Sequence, residues 1–224
     1  MKTLVIVPAY RAAKTIVAVI GSLRGLVFVT EIVVVDDGSD DDTVLVAREA
    51  GATVLRHAIN RGQGAALQTG QDYARYKGAD AVIHFDADGQ HRAEDVMRLM
   101  ECLWNDHADV VFSSRFAGAV ENLAWSKKWL ILKPAIVFSN FLSGVKLTDA
   151  HNGLRALNRR ALGKINITQD RMAHGTEIVS LTRRHDLRWA EVPVTIIYNR
   201  YGQGLGGGLK IFKELFFDKF LRCW

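Results

Sequence analysis

Cysteine, proline and long apolar runs are what this chain has least of. Its 224 residues hold two cysteines, Cys102 and Cys223, and three prolines. The cysteines lie far apart, one inside an expected helix and one at the chain end. That spacing is neither a disulfide framework nor a zinc pattern, and it suits a reducing compartment. No apolar run reaches the ~20 residues that a membrane span needs. The nearest stretch, WLILKPAIVFSNFL (129–142), is broken by Lys133 and Pro134. The chain begins on a strand pattern, MKTLVIVPAY, without the apolar length or small-residue cleavage site of a signal peptide. These absences point to a cytosolic protein that can rest peripherally on a membrane face. Interleaved basic and aromatic residues are missing too, so no nucleic-acid partner is expected.

What is present is a chain able to build a core. At 49% hydrophobic and 24% charged residues, disorder is excluded. A length of 224 residues fits one domain, 1–224, with no linker or repeat to divide it. The net charge of +5 is unevenly spread: five aspartates crowd residues 36–42, while 155–188 holds eight Arg or Lys against three acids. A basic second half suggests an anionic partner, either phosphate groups or acidic lipid headgroups.

The first half alternates regularly. TLVIVPAY, EIVVVDDG, ATVLRH, DAVIHFDADG and ADVVFSSR read as strands, and the segments between them as helices. Near-continuous apolar strands alternating with helices predict an α/β fold, a mostly parallel sheet covered on both faces. Ligands of such sheets bind beyond the carboxyl ends of the strands. Asp36 with Asp37, and Asp86 with Asp88, both fall at those ends. The second half is less regular. WAEVPVTIIY (189–198) returns to strand character, NRYGQGLGGG is a glycine-rich loop, and the tail places Leu209, Phe212, Phe216 and Phe220 on one helical face. Such a helix suits either a membrane interface or a core.

Taken singly, the motifs leave alternatives open. In FDADGQH (85–91) two carboxylates one residue apart suit a hard divalent cation, but Asp88 could equally cap the helix that follows. In VVVDDGSDDDT (33–43), Asp36 and Asp37 can accept from a nucleotide, whereas Asp40 to Asp42 read as turn and cap residues. NRGQGAALQTG (60–70) can hold phosphate on backbone N–H groups, or simply make a tight strand-to-helix connection.

Their order is more telling. VPAY, VVVDDGS, NRGQGAA, DADGQH, SSR (113–115), TDAHNGLRALNR (148–159) and EVPVTIIYNRYGQG (191–204) follow one another along nearly the whole chain. This series resembles the family 2 glycosyltransferases, in the branch of dolichol-phosphate mannose synthase and bacterial polyprenyl-phosphate glycosyltransferases. The resemblance implies a GT-A fold, a Rossmann-like nucleotide-sugar half (1–115) and an acceptor half (116–224). It implies inverting transfer of a hexose from a UDP-, GDP- or dTDP-linked donor to a polyprenyl phosphate, with Mg²⁺ or Mn²⁺. By matching position, Pro8 and Tyr10 would lie against the base, Asp37 would accept from it, and Arg61 and Gly62 would lie on the donor side. Asp86 would contact ribose or diphosphate, and Asp88 and Gln90 would ligate the metal. Arg115 and Arg200 fall near phosphates, and Asp149 in the acceptor motif. No role follows for His91.

Three departures bear on the donor. Arg11 and Ala12 replace Asn and Glu of the family pattern P-A-Y-N-E, Gln63 replaces a lysine, and NRYGQGLGGG lacks the family's closing Ser-Lys pair. A phosphate acceptor is already anionic and needs no general base; a hydroxyl acceptor would need one, for which Asp149 and His151 are candidates. Glu177 reads as a helix-cap or ion-pair residue, or as an acceptor contact. A saccharide-directed glycosyltransferase and a non-catalytic nucleotide-sugar-binding protein are the competing readings. A nucleotidyltransferase would need a glycine-rich, basic loop after the first strand, which VPAYRAAKT lacks.

Overall fold

A computed structural model describes residues 1–105, 108–115, 147–149 and 152–197. The five predicted strands of the first half form β1 (Thr3–Ala9), β2 (Val29–Asp36), β3 (Thr53–Arg56), β4 (Ala81–His84) and β5 (Val110–Ser114). The helices between them are α1 (Ile16–Arg24), α2 (Thr43–Glu49), α3 (Gln63–Tyr76) and α4 (Ala93–Trp104). Three further elements, not foreseen, follow in the second half: β6 (Arg155–Asn158), α5 (Arg159–Lys164) and α6 (His174–Arg184). The last strand, β7 (Trp189–Pro193), ends earlier than the predicted 189–198.

All seven strands make one sheet in the order β3-β2-β1-β4-β6-β5-β7. Every pairing is parallel except those of β6, which runs antiparallel to both β4 and β5. The start of β6 therefore lies at the carboxyl ends of its neighbours. That reversal delivers the segment before β6, including Asp149 and Gly153, to the edge where β4 delivers Asp86.

Alternation along β1 divides the core. Val5 and Val7 pack with Ile16, Ile20 and Leu23 of α1 and Val96, Leu99 and Met100 of α4. Leu4 and Ile6 pack with Ala66 and Leu67 of α3, Leu162 of α5 and Ile178 of α6. A central strand buried on both faces cannot alternate apolar with polar, which is why TLVIVPA reads as a continuous apolar run.

The opposite end of the sheet is held by Asp109, one residue before β5 and 1% exposed. It accepts from the Arg188 N–H, Nε and Nη2, from Asn158 Nδ2 and from Arg160 Nη1, so one carboxylate ties β5, β6, β7 and α5. Burial pushes its carboxyl up, but the hydrogen bonds from Arg188 and Asn158 outweigh that and bring the pKa to about 2. The folded pKa is depressed, so this stability is complete above the ordinary carboxylate range and is lost as pH falls toward 2. The span from 3.8 to about 2 is worth about 2 kcal/mol. Acid titration of Asp109→Asn, followed by denaturant unfolding, should show a loss between pH 4 and pH 2 smaller by about that amount.

Candidate active site

The loops after β1 and β2 are laced together. Pro8 is buried at the end of β1, and Tyr10 is 46% exposed beside it. Arg11 adopts φ +51°, unusual for a residue with a side chain. Its guanidinium lies 5.2 Å over the Tyr10 ring and donates to both oxygens of Asp40 at 2.7 Å. The Arg11 N–H donates to Ser39 Oγ, the Ala12 N–H to Thr43 Oγ1 and the Ala13 N–H to Asp41 Oδ2. The expected turn-and-cap role of Asp40 to Asp42 falls to Asp41, whose Oδ1 accepts from the N–H of Thr43, the first residue of α2, at 3.1 Å. Asp42 is the N-cap of α2 but makes no side-chain capping bond. Asp40, and Asp41 through its other oxygen, also reach across to the first loop.

Asp36 and Asp37 diverge in role. Asp36 is wholly buried, accepts from the Ser39 N–H and faces Arg56 Nε at 3.4 Å. Asp37 accepts from the N–H groups of Arg61 (2.9 Å) and Gly62 (2.6 Å), and its Oδ1 lies 2.7 Å from His57 Nδ1. His57 continues to Thr69 Oγ1 of α3 at 2.9 Å. Three predicted donor-side residues, Asp37, Arg61 and Gly62, thus form one knot, which fixes the turn into α3. Gly62 has φ +113°, and a Cβ there would strike the Asp170 carbonyl. That carbonyl accepts from the Ala65 N–H. The start of α3 is therefore packed against residues 169–171, which favours the tight-connection reading of this glycine loop over a phosphate cradle at the helix end.

At the end of β4, Asp86 accepts from Gln63 Nε2 at 2.8 Å and faces His91 Nε2 at 3.4 Å. The amide in place of the family's lysine is therefore a direct partner of Asp86. Burial raises the Asp86 carboxyl, but His91, Arg155 and His174 more than offset it, and its pKa lies below the usual range. Asp88 is exposed, and its Oδ1 accepts from the Gln90 N–H at 3.0 Å across a turn made by Gly89 (φ +72°). Its carboxyl is pushed up, first by partial desolvation at the foot of the turn and then by the charge of Asp86. The helix-cap alternative for Asp88 does not hold: the N-cap of α4 is Arg92, without a side-chain capping bond. The Gln90 carbonyl accepts from the Ile197 N–H, and His91 bridges to Ile196, so this turn is pinned to the segment after β7.

The acceptor motif meets the same edge. Asp149 is 2% exposed and accepts Arg115 Nε (2.6 Å) and N–H (3.1 Å) on one oxygen and Nη2 (2.7 Å) on the other. Glu191 of β7 accepts from the N–H groups of Thr148 and Asp149, holding that segment. Among the described residues, Glu177 neither caps its helix nor pairs with an arginine; it accepts from the N–H groups of Thr168 and Gln169. Arg200, His151, the 129–142 stretch, the 199–208 loop and the 209–220 tail lie outside the described residues.

Residues that sequence reasoning did not assign a role complete the site. His91 is buried against Asp86 and meets the Phe85 ring edge-on, with centroids 5.7 Å apart. Gly153 lies so close to the Asp86 carboxylate that a Cβ would collide with it. Arg155 is fully buried. A signal for Arg155 was available: an arginine between apolar residues in LRALN, where a strand core expects none.

Asp86, Asp88 and Gln90 offer oxygen donors alone, the set that suits Mg²⁺ or Mn²⁺. Among the described residues no group of three His, Cys, Asp or Glu could enclose an ion alone. A cation here would draw further oxygens from a bound diphosphate, as Mg²⁺ commonly does.

A family model for glycosyl transferase family 2 matches residues 4–165. The chain is 30% identical to UDP-N-acetylglucosamine–dolichyl-phosphate N-acetylglucosaminyltransferase of Methanococcus voltae, covering 95% of this chain and 92% of that one. It is also 30% identical to polyprenol monophosphomannose synthase of Mycolicibacterium smegmatis, covering 96% and 84% respectively. Among solved structures, Mycobacterium tuberculosis glucosyl-3-phosphoglycerate synthase in complex with Mn²⁺ and UDP-glucose aligns with a TM-score of 0.71. That alignment covers 92% of this chain and 73% of the other at 24% identity, a likeness of fold, and the fold is GT-A-like. With its strand-end carboxylates in the expected order and a family match over most of its length, the chain belongs to glycosyltransferase family 2.

Proposed function

We propose that the protein transfers a hexose, with inversion, from a nucleoside-diphosphate sugar to a polyprenyl phosphate. The observation that carries the acceptor class is the Arg115–Asp149 pair. A hydroxyl acceptor needs a base, and both oxygens of Asp149, the one candidate base among the described residues, are taken by one guanidinium. Glu191 and Glu177, the other carboxylates named on this side, accept backbone N–H groups. A phosphate acceptor brings its own anionic oxygen and makes this arrangement sufficient. The names of two relatives, a dolichyl-phosphate transferase and a polyprenol monophosphomannose synthase, support the same reading.

In this reading a phosphate oxygen attacks the anomeric carbon as the bond to the nucleoside diphosphate breaks. Asp88 and Gln90 would hold Mg²⁺ or Mn²⁺, with Asp86 toward the ribose or diphosphate, and the cation would supply charge stabilisation for the leaving diphosphate. Pro8 and Tyr10 line the base side, and the Asp37 knot sets the turn carrying Arg61 and Gly62. Arg115, aligned by Asp149 and 22% exposed, faces the acceptor phosphate. Arg200 would join it there.

Thermal-shift titration with UDP-, GDP- and dTDP-sugars should show one nucleotide class that raises the unfolding temperature only with Mn²⁺. Turnover with that donor should then favour short polyprenyl phosphates over saccharides. Stabilisation by none of the donors would sink the donor site, and preference for saccharides would move the protein to the hydroxyl-acceptor class.

A further inference from the structure

Asp37 is nearly closed off from solvent, at 3% exposed. Its N–H donates to the carbonyl of Ala9 at 2.8 Å, which sets it beside the chain that carries Pro8 and Tyr10. An ionised carboxylate only accepts, and its two oxygens offer about four positions. Three of these are taken: Oδ1 by the Arg61 N–H at 2.9 Å and His57 Nδ1 at 2.7 Å, and Oδ2 by the Gly62 N–H at 2.6 Å. Among the described residues nothing takes the fourth, which is on Oδ2.

The donors that fill the other positions are fixed. Arg61 and Gly62 belong to a turn packed on Asp170, so tightly that a Cβ at Gly62 would strike its carbonyl. The His57 side chain is 9% exposed, and its Nε2 lies 2.9 Å from Thr69 Oγ1 of α3. Its backbone N–H donates to the Asp36 carbonyl. Held at both ring nitrogens and at the backbone, the imidazole cannot turn aside to make room on Oδ1.

The bases differ in what they ask of such a carboxylate. Uracil and thymine present one N–H, at N3, and a single open position satisfies it. Guanine presents two side by side, N1–H and the 2-amino group, which together require both oxygens. Here the second would meet an oxygen that is already full, and a buried donor without a partner loses affinity.

We infer that the donor base is uracil or thymine rather than guanine, and that His57 is the specificity-determining residue, because it fills the position on Oδ1 that guanine needs. The inference rests on the donor reading given above, with Asp37 facing the base.

Calorimetric titration of the full chain with nucleoside diphosphates and Mn²⁺ tests the base. UDP or dTDP should bind at least about tenfold tighter than GDP. CDP, of the same size but without a hydrogen at N3, should be about as weak as GDP. IDP, which is GDP without the 2-amino group, should bind tighter than GDP. A preference for GDP, CDP equal to UDP, or IDP no tighter than GDP each overturns the inference while leaving the donor site standing. Binding by none of the five fails the donor reading and the inference with it.

The His57 variants test the residue. His57→Leu opens the second position on Oδ1 and should cut the preference for UDP over GDP by about tenfold. His57→Asn places an amide N–H where Nδ1 stands and should keep the parental ratio. A residue that only supports the fold would weaken both nucleotides alike. A ratio unchanged in His57→Leu, or lost equally in His57→Asn, overturns the role given to His57. If His57→Leu does not fold, the ranking of the five nucleotides on the parent still decides the base.

Discussion

Asp88→Asn is expected to reduce transfer by about a thousandfold while moving the unfolding temperature by no more than about 2 °C. The side chain is exposed, lies beyond the end of β4 and caps no helix. Its one described hydrogen bond is accepted from the Gln90 N–H, and an asparagine oxygen can accept it equally well. The turn therefore survives the change. What disappears is a negative charge held next to Asp86, a like-charged neighbour. Such crowding contributes nothing to the fold but suits a divalent cation, so loss of charge separates function from stability. Radiolabelled sugar transfer to a short polyprenyl phosphate, alongside calorimetry, reads both quantities. Activity within tenfold of the parent would remove metal-assisted catalysis from this site.

Gly153→Ala should be nearly as damaging by a different route, lowering transfer by about a hundredfold. The glycine is needed for space: its missing Cβ leaves room for the Asp86 carboxylate. The backbone has little freedom to retreat, because the next carbonyl, that of Leu154, accepts from both the N–H and the Oγ of Ser113. The carboxylate is the softer partner and should swing away, breaking its bond from Gln63. Mn²⁺-dependent stabilisation by the donor should fall with the activity. A variant with parental donor affinity and parental turnover would show that Asp86 tolerates displacement and that the close contact is only packing.

The first half of the fold was legible because its strands are apolar on both faces and its helices are amphipathic, so one periodicity holds from Thr3 to Ser114. The second half was harder because β6 is four residues long and begins with a buried arginine. Hydropathy reads Arg155 as a surface residue, and only the pairing of β6 with β4 and β5 turns it into the core. At the site, the carboxylates were visible from their place at strand ends. Their partners were not: Asp37 meets His57 across 20 positions, Asp86 meets Gln63 across 23 and Asp149 meets Arg115 across 34. Spacing along a chain carries no trace of such contacts until the strand order is known. Arg11 was noted as a departure, yet its bidentate bond to Asp40 depends on two loops that meet only after folding.

Asp109 sits at the amino end of β5, whereas Asp86, Asp88 and Asp149 gather at the carboxyl ends of the parallel strands. The ionic hub that anchors the sheet and the charges proposed to handle substrates therefore occupy opposite poles of one molecule. Variation at the exposed side chains of the strand-end loops can explore new donors and acceptors with little penalty in foldability. Directed evolution of sugar specificity in this chain should accordingly tolerate substitutions at Tyr10 and Arg61, whose side chains are exposed, and very few at Gly62 or around Asp109.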